Sequence, residues 1–308
     1  MGSTQFGKFH NFCRDSTLPV CNLFTPWRER PAELFGQLQG YDGCQLTGIG
    51  LSGGRHLGNL GSILIAFIAI LVTVFLILRS NRKEAAVGRR EFQLFLLGYI
   101  IIEICEIFTV GGLPMGSPLQ QRVVLGFSAV HLGAIVATLW VLMLNGIVGF
   151  QLLDDGTPLS LGLILLSAAA LFIGTGYIAL DTAFSYSNRF EGSLTGDHRN
   201  IGLYVLYQLV PLVFLAAFFI LETILVLRVL GEKKPMLYLF GAALLFAIGQ
   251  IFQYVISTHI CQGTNGKING ALFETLFTLL AVVMTWVFWS SITEDTWPMP
   301  VSGGTYTS

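Results

Sequence analysis

The chain has 308 residues, 53% of them hydrophobic and only 11% charged, with a formal net charge of −1 at pH 7. A mean hydropathy of +0.69 excludes an ordinary soluble domain and makes a polytopic membrane protein the default. No block of like charge offers a footing for nucleic acid, so no nucleic-acid partner is expected.

Residues 1–56 hold Cys13, Cys21 and Cys44 but no apolar h-region of a cleavable signal peptide. The first apolar run, 57–78, is therefore expected to serve as an uncleaved anchor. Six more runs follow at 92–111, 123–148, 159–180, 201–227, 236–256 and 270–292. At about 1.5 Å per residue each is long enough to cross a hydrocarbon core of about 30 Å. The expected fold is all-α, a bundle of seven transmembrane helices over 57–292, between an N-terminal segment, 1–56, and a short tail, 293–308.

Lys and Arg set the orientation. Arg79, Arg82, Lys83, Arg89, Arg90, Arg228, Lys233 and Lys234 fall on one side, against Arg122, Arg189, Arg199 and Lys267 on the other. The richer side is expected in the cytosol, which leaves the N-terminus lumenal and the C-terminus cytosolic. Cys13, Cys21, Cys44 and Cys261 then share the oxidising side, where they are disulfide candidates with three possible pairings, and Cys105 lies within the second run. Cys13 and Cys21 lack the C-x-x-C spacing of a zinc site, and no metal is expected.

Between the third and fourth runs stands N-G-I-V-G-F-Q-L-L-D-D-G-T-P-L-S, residues 145–160. Asp154, Asp155 and Gly156 suit a helix end and turn, and Thr157-Pro158 suits the next helix start. With Arg89, Arg90 and Glu91 these residues form the candidate cytosolic loop contacts.

Polar side chains inside apolar runs cost at least about 2.5–3.5 kcal/mol when charged at the bilayer centre, so each is a functional candidate. Glu103 and Glu106 share a face of the second helix, and His131, Gln250, Gln253 and Glu274 lie at similar depth in the third, sixth and seventh. Such a cluster either hydrogen-bonds helices together or forms a polar groove for a client helix or lipid headgroup. Glu222 is expected to reach the interface, and Trp286, Trp289 and Trp297 to form an interfacial belt. Small residues in the fourth run (Ala169, Ala170, Gly174) and the sixth (Gly241, Ala242, Ala243) permit close helix approach, internally or with a partner.

Catalytic signatures are missing. There is no H-E-x-x-H, no phosphate-binding glycine loop, no lysine in the seventh run and no D-R-Y after the third. Neither an enzyme nor a cofactor is expected. A seven-span receptor, and a lipid transporter or intramembrane enzyme, are the alternatives.

The chain resembles the fungal chitin synthase export chaperone family. The resemblance rests on F-x-x-F-C-x-x-x-x-L-P-x-C (Phe9, Phe12, Cys13, Leu18, Pro19, Cys21), Cys44, A-V-G-R-R-E at 86–91 and the 145–160 block. I-G-Q at 248–250, S-T-H-I-C at 257–261 and N-G-A-L-F at 269–273 support it. After Cys44 the sequence departs from the family pattern, as a divergent member or paralogue would. The resemblance implies a multi-pass endoplasmic reticulum membrane protein that binds a chitin synthase during folding and export. It further implies contacts with membrane lipids and with vesicle coat machinery.

Overall fold

A computed structural model describes residues 6–24, 46–51, 55–111, 118–152, 154–187, 189–190 and 199–294. A short α1, His10–Asp15, and a 3-10 turn, Pro19–Phe24, open the described chain. An antiparallel hairpin of β1, Ile49–Leu51, and β2, Arg55–Leu57, then leads into the first long helix, a small addition to the expected all-helical fold. Seven helices among the described residues are long and apolar enough to cross a membrane. They are α2 Leu60–Asn81, α3 Arg89–Thr109, α4 Pro118–Val148, α5 Pro158–Phe184, α6 Ile201–Leu230, α7 Lys234–Gly263 and α8 Gly270–Ser291.

Lipid offers no water to backbone N–H and C=O groups, so each apolar run closes its bonds within its own helix. Side chains fix where the helices begin. Asn59 accepts from the Ser62 N–H at 3.1 Å, Thr157 from Ser160 at 3.2 Å ahead of Pro158, and Asn200 from Leu203 at 3.0 Å.

The helices form a ring with a break. Going round it, α6 packs on α4, α4 on α3, α3 on α2, α2 on α8, and α8 on α7, while α5 lies outside against α4. Although consecutive in sequence, α6 and α7 stand apart over most of their length.

The N-terminal segment caps one end of the ring. Phe9, Leu18, Val20, Leu23 and Phe24 are buried against Leu125, Leu132 and Ala179 of α4 and α5. The Asn22 amide donates to the Thr109 carbonyl at 3.3 Å and to Ser128 Oγ at 3.0 Å. Residues 6–24 of the N-terminal segment thus pack into the helix bundle. A Cys13–Cys21 disulfide joins α1 to the 3-10 turn. Cys261 sits in the last turn of α7, not in the following loop, and is buried and disulfide-bonded. Cys105 is a buried free thiol, and Cys44 and Trp297 lie outside the described residues.

At the opposite end, two sequence blocks lock together. Glu91 is completely buried, and its Oε1 accepts from the Gly156 N–H at 2.7 Å and the Ser160 hydroxyl at 2.9 Å. Asn145 Nδ2 donates to the Val141 carbonyl at 2.8 Å and the Glu91 carbonyl at 3.3 Å. Gly88, at φ +67°, turns its N–H onto Asp155 Oδ2 at 2.8 Å, a backbone conformation that glycine adopts without strain. The A-V-G-R-R-E and D-D-G-T-P segments are therefore two halves of one clamp across α3, α4 and α5.

Two expectations are corrected here. Trp289 faces inward, stacked on Phe92 with ring centroids 4.9 Å apart, and donates to the Val87 carbonyl at 3.1 Å. Trp286 donates to Ser80 Oγ at 2.8 Å, so both tryptophans bind α8 to the α2–α3 corner rather than forming a belt. Glu222 is buried as well, on a helix packed against α4, rather than reaching the interface.

The clamp predicts that Glu91→Ala strands the Gly156 and Ser160 donors and lowers stability by about 2–3 kcal/mol, the scale of hydrogen bonds to a charged group. Thermal unfolding of the purified protein in detergent reads this directly. Peptide mapping without reduction should recover Cys13 linked to Cys21, a second linked species containing Cys261, and Cys105 as the alkylated thiol.

Candidate functional site

The broken ring encloses a cavity of about 320 Å³. Glu103 and Glu106 from α3, His131 from α4, Gln250 and Gln253 from α7, and Glu274 from α8 all line it. Spacing explains why α3 supplies two: residues i and i+3 share a helical face.

Partners cross from helix to helix. Glu106 Oε2 lies 3.7 Å from His131 Nε2, and its Oε1 takes the Thr275 hydroxyl at 3.5 Å. The other imidazole nitrogen of His131 shares a hydrogen bond of 2.9 Å with Thr109 Oγ1. Glu274 Oε1 accepts from Thr278 Oγ1 at 3.0 Å and from Gln250 Nε2 at 3.4 Å. This last pair depends on Gly249, where a Cβ would come within 3.2 Å of Phe277 and 3.4 Å of the Glu274 carbonyl. Glycine lets α7 lie directly on α8 and delivers Gln250 to the carboxylate.

The N-terminal segment forms the roof. Thr17, Leu18 and Pro19 line the cavity, and the Thr17 carbonyl accepts from Gln253 Nε2 at 2.7 Å. Asn269 Nδ2 reaches Thr17 Oγ1 at 3.3 Å, and Asn59 Nδ2 in turn reaches Asn269 Oδ1 at 3.1 Å. The roof is thereby tied to α7 and to the start of α8, and through Asn269 to Asn59 at the start of α2, while Phe12 packs edge-on against Tyr254 of α7 with ring centroids 5.7 Å apart.

Sequence reasoning missed Tyr99, Tyr207, Gln208 and Tyr254, which also line the cavity. Three of them lie on widened π-helical turns, Tyr204–Leu209 in α6 and Phe252–Ile256 in α7. A π turn shifts the phase of the helix, so inward positions stop following a 3.6-residue period. Tyr254 donates to Gln208 Oε1 at 3.1 Å and joins α6 to α7 beneath the roof.

The candidate loop residues are placed elsewhere. Glu91, Asp155 and Gly156 belong to the clamp at the far end, while Arg90 and Asp154 are exposed beside it and Arg89 is half-buried. Arg89 Nη1 donates to the Asn81 carbonyl at 3.3 Å and the Lys83 carbonyl at 3.4 Å, which closes the turn between α2 and α3. Among the described residues no group of three His, Cys, Asp or Glu side chains is placed to hold a metal ion. Carboxylates, amides and hydroxyls in an apolar wall are the equipment of a binding site.

The profile of the chitin synthase export chaperone family matches residues 5–303. Chitin synthase export chaperones of three fungi are similar over 94% of this chain and 83% of their own length. They are 32% identical in Chaetomium globosum, 30% in Aspergillus oryzae and 29% in Coccidioides immitis. No solved structure matches the chain. A family match of this extent, on a seven-helix chain, leads to one conclusion: the chain belongs to the chitin synthase export chaperone family, a family of chaperones rather than enzymes.

Proposed function

We propose that this protein resides in the endoplasmic reticulum membrane, N-terminus in the lumen, and escorts a chitin synthase through folding and export. The family match over residues 5–303 carries this reading. Orientation is supported by the surplus of Lys and Arg at the clamped end and by the Cys13–Cys21 and Cys261 disulfide sulfurs at the capped end.

A many-span synthase exposes polar channel-lining residues to lipid until its own helices assemble, a costly state that an escort relieves. The surface offered to such a helix is the outer face of α5. Leu166, Ala169, Ala170, Ile173, Gly174 and Tyr177 are all exposed there, and a Cβ added to Gly174 would meet nothing within 4 Å. Small residues let a second helix come close enough for dispersion and Cα–H contacts to hold it. Arg90 and Asp154, exposed at the cytosolic end in this orientation, are the residues offered to vesicle coat machinery.

Loss of the gene in its own fungus should trap one tagged chitin synthase in the endoplasmic reticulum and lower cell-wall chitin. Normal surface delivery of every synthase would refute the reading. Gly174→Leu should leave thermal stability within about 0.5 kcal/mol, as surface changes do, yet reduce co-purified synthase several-fold. Gly249→Leu, at the close approach of α7 and α8, should instead cost the fold itself. An Asn-x-Thr acceptor engineered within residues 25–45 should be glycosylated if the N-terminus is lumenal.

A further inference from the structure

The central cavity is acidic, and one carboxylate oxygen on its wall has no hydrogen-bond partner. Glu103, Glu106 and Glu274 face into it, and among the described residues no Lys or Arg lines it. Glu106 and Glu274 are engaged by neighbouring side chains, whereas Glu103 Oε2 has no hydrogen-bond partner in a residue only 2% exposed. Gln253 Oε1, in a residue 3% exposed, is also unpartnered. A buried polar atom without a partner forfeits about 1–3 kcal/mol, and more when charged. The Tyr99 hydroxyl, the unpartnered donor beside Glu103 among the described lining residues, can serve one of these two acceptors, which leaves room for a further donor from outside the protein.

The donor's route is the break in the ring. Between α6 and α7 the walls meet at Phe219 and Phe240, with ring centroids 6.1 Å apart, and again at the Tyr254–Gln208 hydrogen bond. The residues between Gln208 and Phe219 span roughly 16 Å at the helical rise. In that window Leu212, 51% exposed, and the exposed Ala243 line the cavity while also facing outward. The opening therefore faces the hydrocarbon side of the bundle, and what enters arrives from lipid.

Size and charge narrow the class. At about 30 Å³ per water-sized group, a cavity of about 320 Å³ admits on the order of ten non-hydrogen atoms. A helix, about 10–12 Å across with its side chains, is too large. A phospholipid headgroup would set its phosphate among three carboxyl groups with no Lys or Arg among the described lining residues to receive it, and His131 is already turned to Glu106 and Thr109. An ammonium head bearing hydroxyls, without an anion, on a single chain that runs back through the opening satisfies both limits. Long-chain amino alcohols are the membrane constituents of that form.

We propose that the cavity binds a sphingoid base, its ammonium group donating to Glu103 and its chain leaving between Leu212 and Ala243. The proposal stands apart from the client: export of a synthase is read in cells and amphiphile binding on the purified chain, so failure of either leaves the other standing.

The test is thermal unfolding of the full chain in an uncharged maltoside, titrated with sphinganine, with N-acetylsphinganine and with octadecan-1-ol. Sphinganine should raise Tm saturably, while the two uncharged amphiphiles leave it unchanged. Glu103→Gln should weaken apparent affinity about tenfold, or about 1.4 kcal/mol. Ala243→Trp, at the mouth and outside the packed interior, should weaken it similarly without altering the Tm of the unliganded protein. If Glu103→Gln fails to fold, Ala243→Trp decides. Equal stabilisation by the uncharged amphiphiles, or unchanged sphinganine affinity in the variants that fold, overturns the proposal. So does indifference to sphinganine in a protein whose Glu103 cross-links to a basic residue of a co-purified synthase, which would assign the cation to the client.

Discussion

The close approach of α7 to α8 at Gly249 fixes where the rest of the molecule can go. With α7 laid on α8, and α8 on α2, α7 meets α6 at Phe219–Phe240 and Gln208–Tyr254 but stands apart from it between them. A bundle of this size could have buried its polar residues by direct helix contact, as membrane proteins commonly do. Here the ring stays open, and the same residues line a space. The Gln250–Glu274 pair is the visible consequence: an amide and a carboxylate brought to 3.4 Å because no side chain separates the two backbones.

The two ends of the ring are held by different chemistry. At one end a buried carboxylate, Glu91, gathers backbone and hydroxyl donors from a turn more than sixty residues away in sequence. That arrangement makes the α3–α4–α5 corner rigid, since removing the acceptor would leave each donor unpaired. At the other end a folded segment of the chain is inserted as a roof, packed by apolar side chains on α4 and α5 and hydrogen-bonded through Asn22 to Thr109 and Ser128 and through Thr17 to Gln253. The Cys13–Cys21 link closes a short loop within that roof, and short loops gain about 2–3 kcal/mol from such a link in the chain-entropy account.

The spans were legible because lipid demands about twenty apolar residues per crossing, a signal that survives any packing detail. The depth of Glu103, Glu106, His131, Gln250, Gln253 and Glu274 was legible for the same reason: a polar residue inside such a run is conspicuous. That they surround a cavity was not, because a cavity depends on two helices failing to meet, and no residue type signals a missing contact. Tyr207, Gln208 and Tyr254 were hidden by π turns that break the period on which face assignments rest. Glu91 was read as a loop charge because it follows Arg89 and Arg90, yet helix α3 begins there and turns the third of the three inward. Trp289 misled in the opposite way: tryptophan near a span end suggests the interface, but an aromatic partner such as Phe92 and a free carbonyl at Val87 draw it inside.

An escort for a membrane protein has to bind without turning its client over, and the division of surfaces in this fold suits that requirement. The outer face of α5 is apolar, small-residued and remote from the cavity, so a helix can rest on it and leave without disturbing any polar pair. The cavity lies on the other side of α4, with the α6–α7 opening at Leu212 and Ala243 on its wall. Because α4 packs on both α5 and α6, a change in the spacing of α6 and α7 has a direct mechanical path to the α5 face. Occupancy of one site can then bias the other only in proportion to how differently the open and closed seam bind each ligand. If a client on the α5 face favours a wider seam and an amphiphile in the cavity does too, reciprocity requires each to raise the affinity of the other by the same factor.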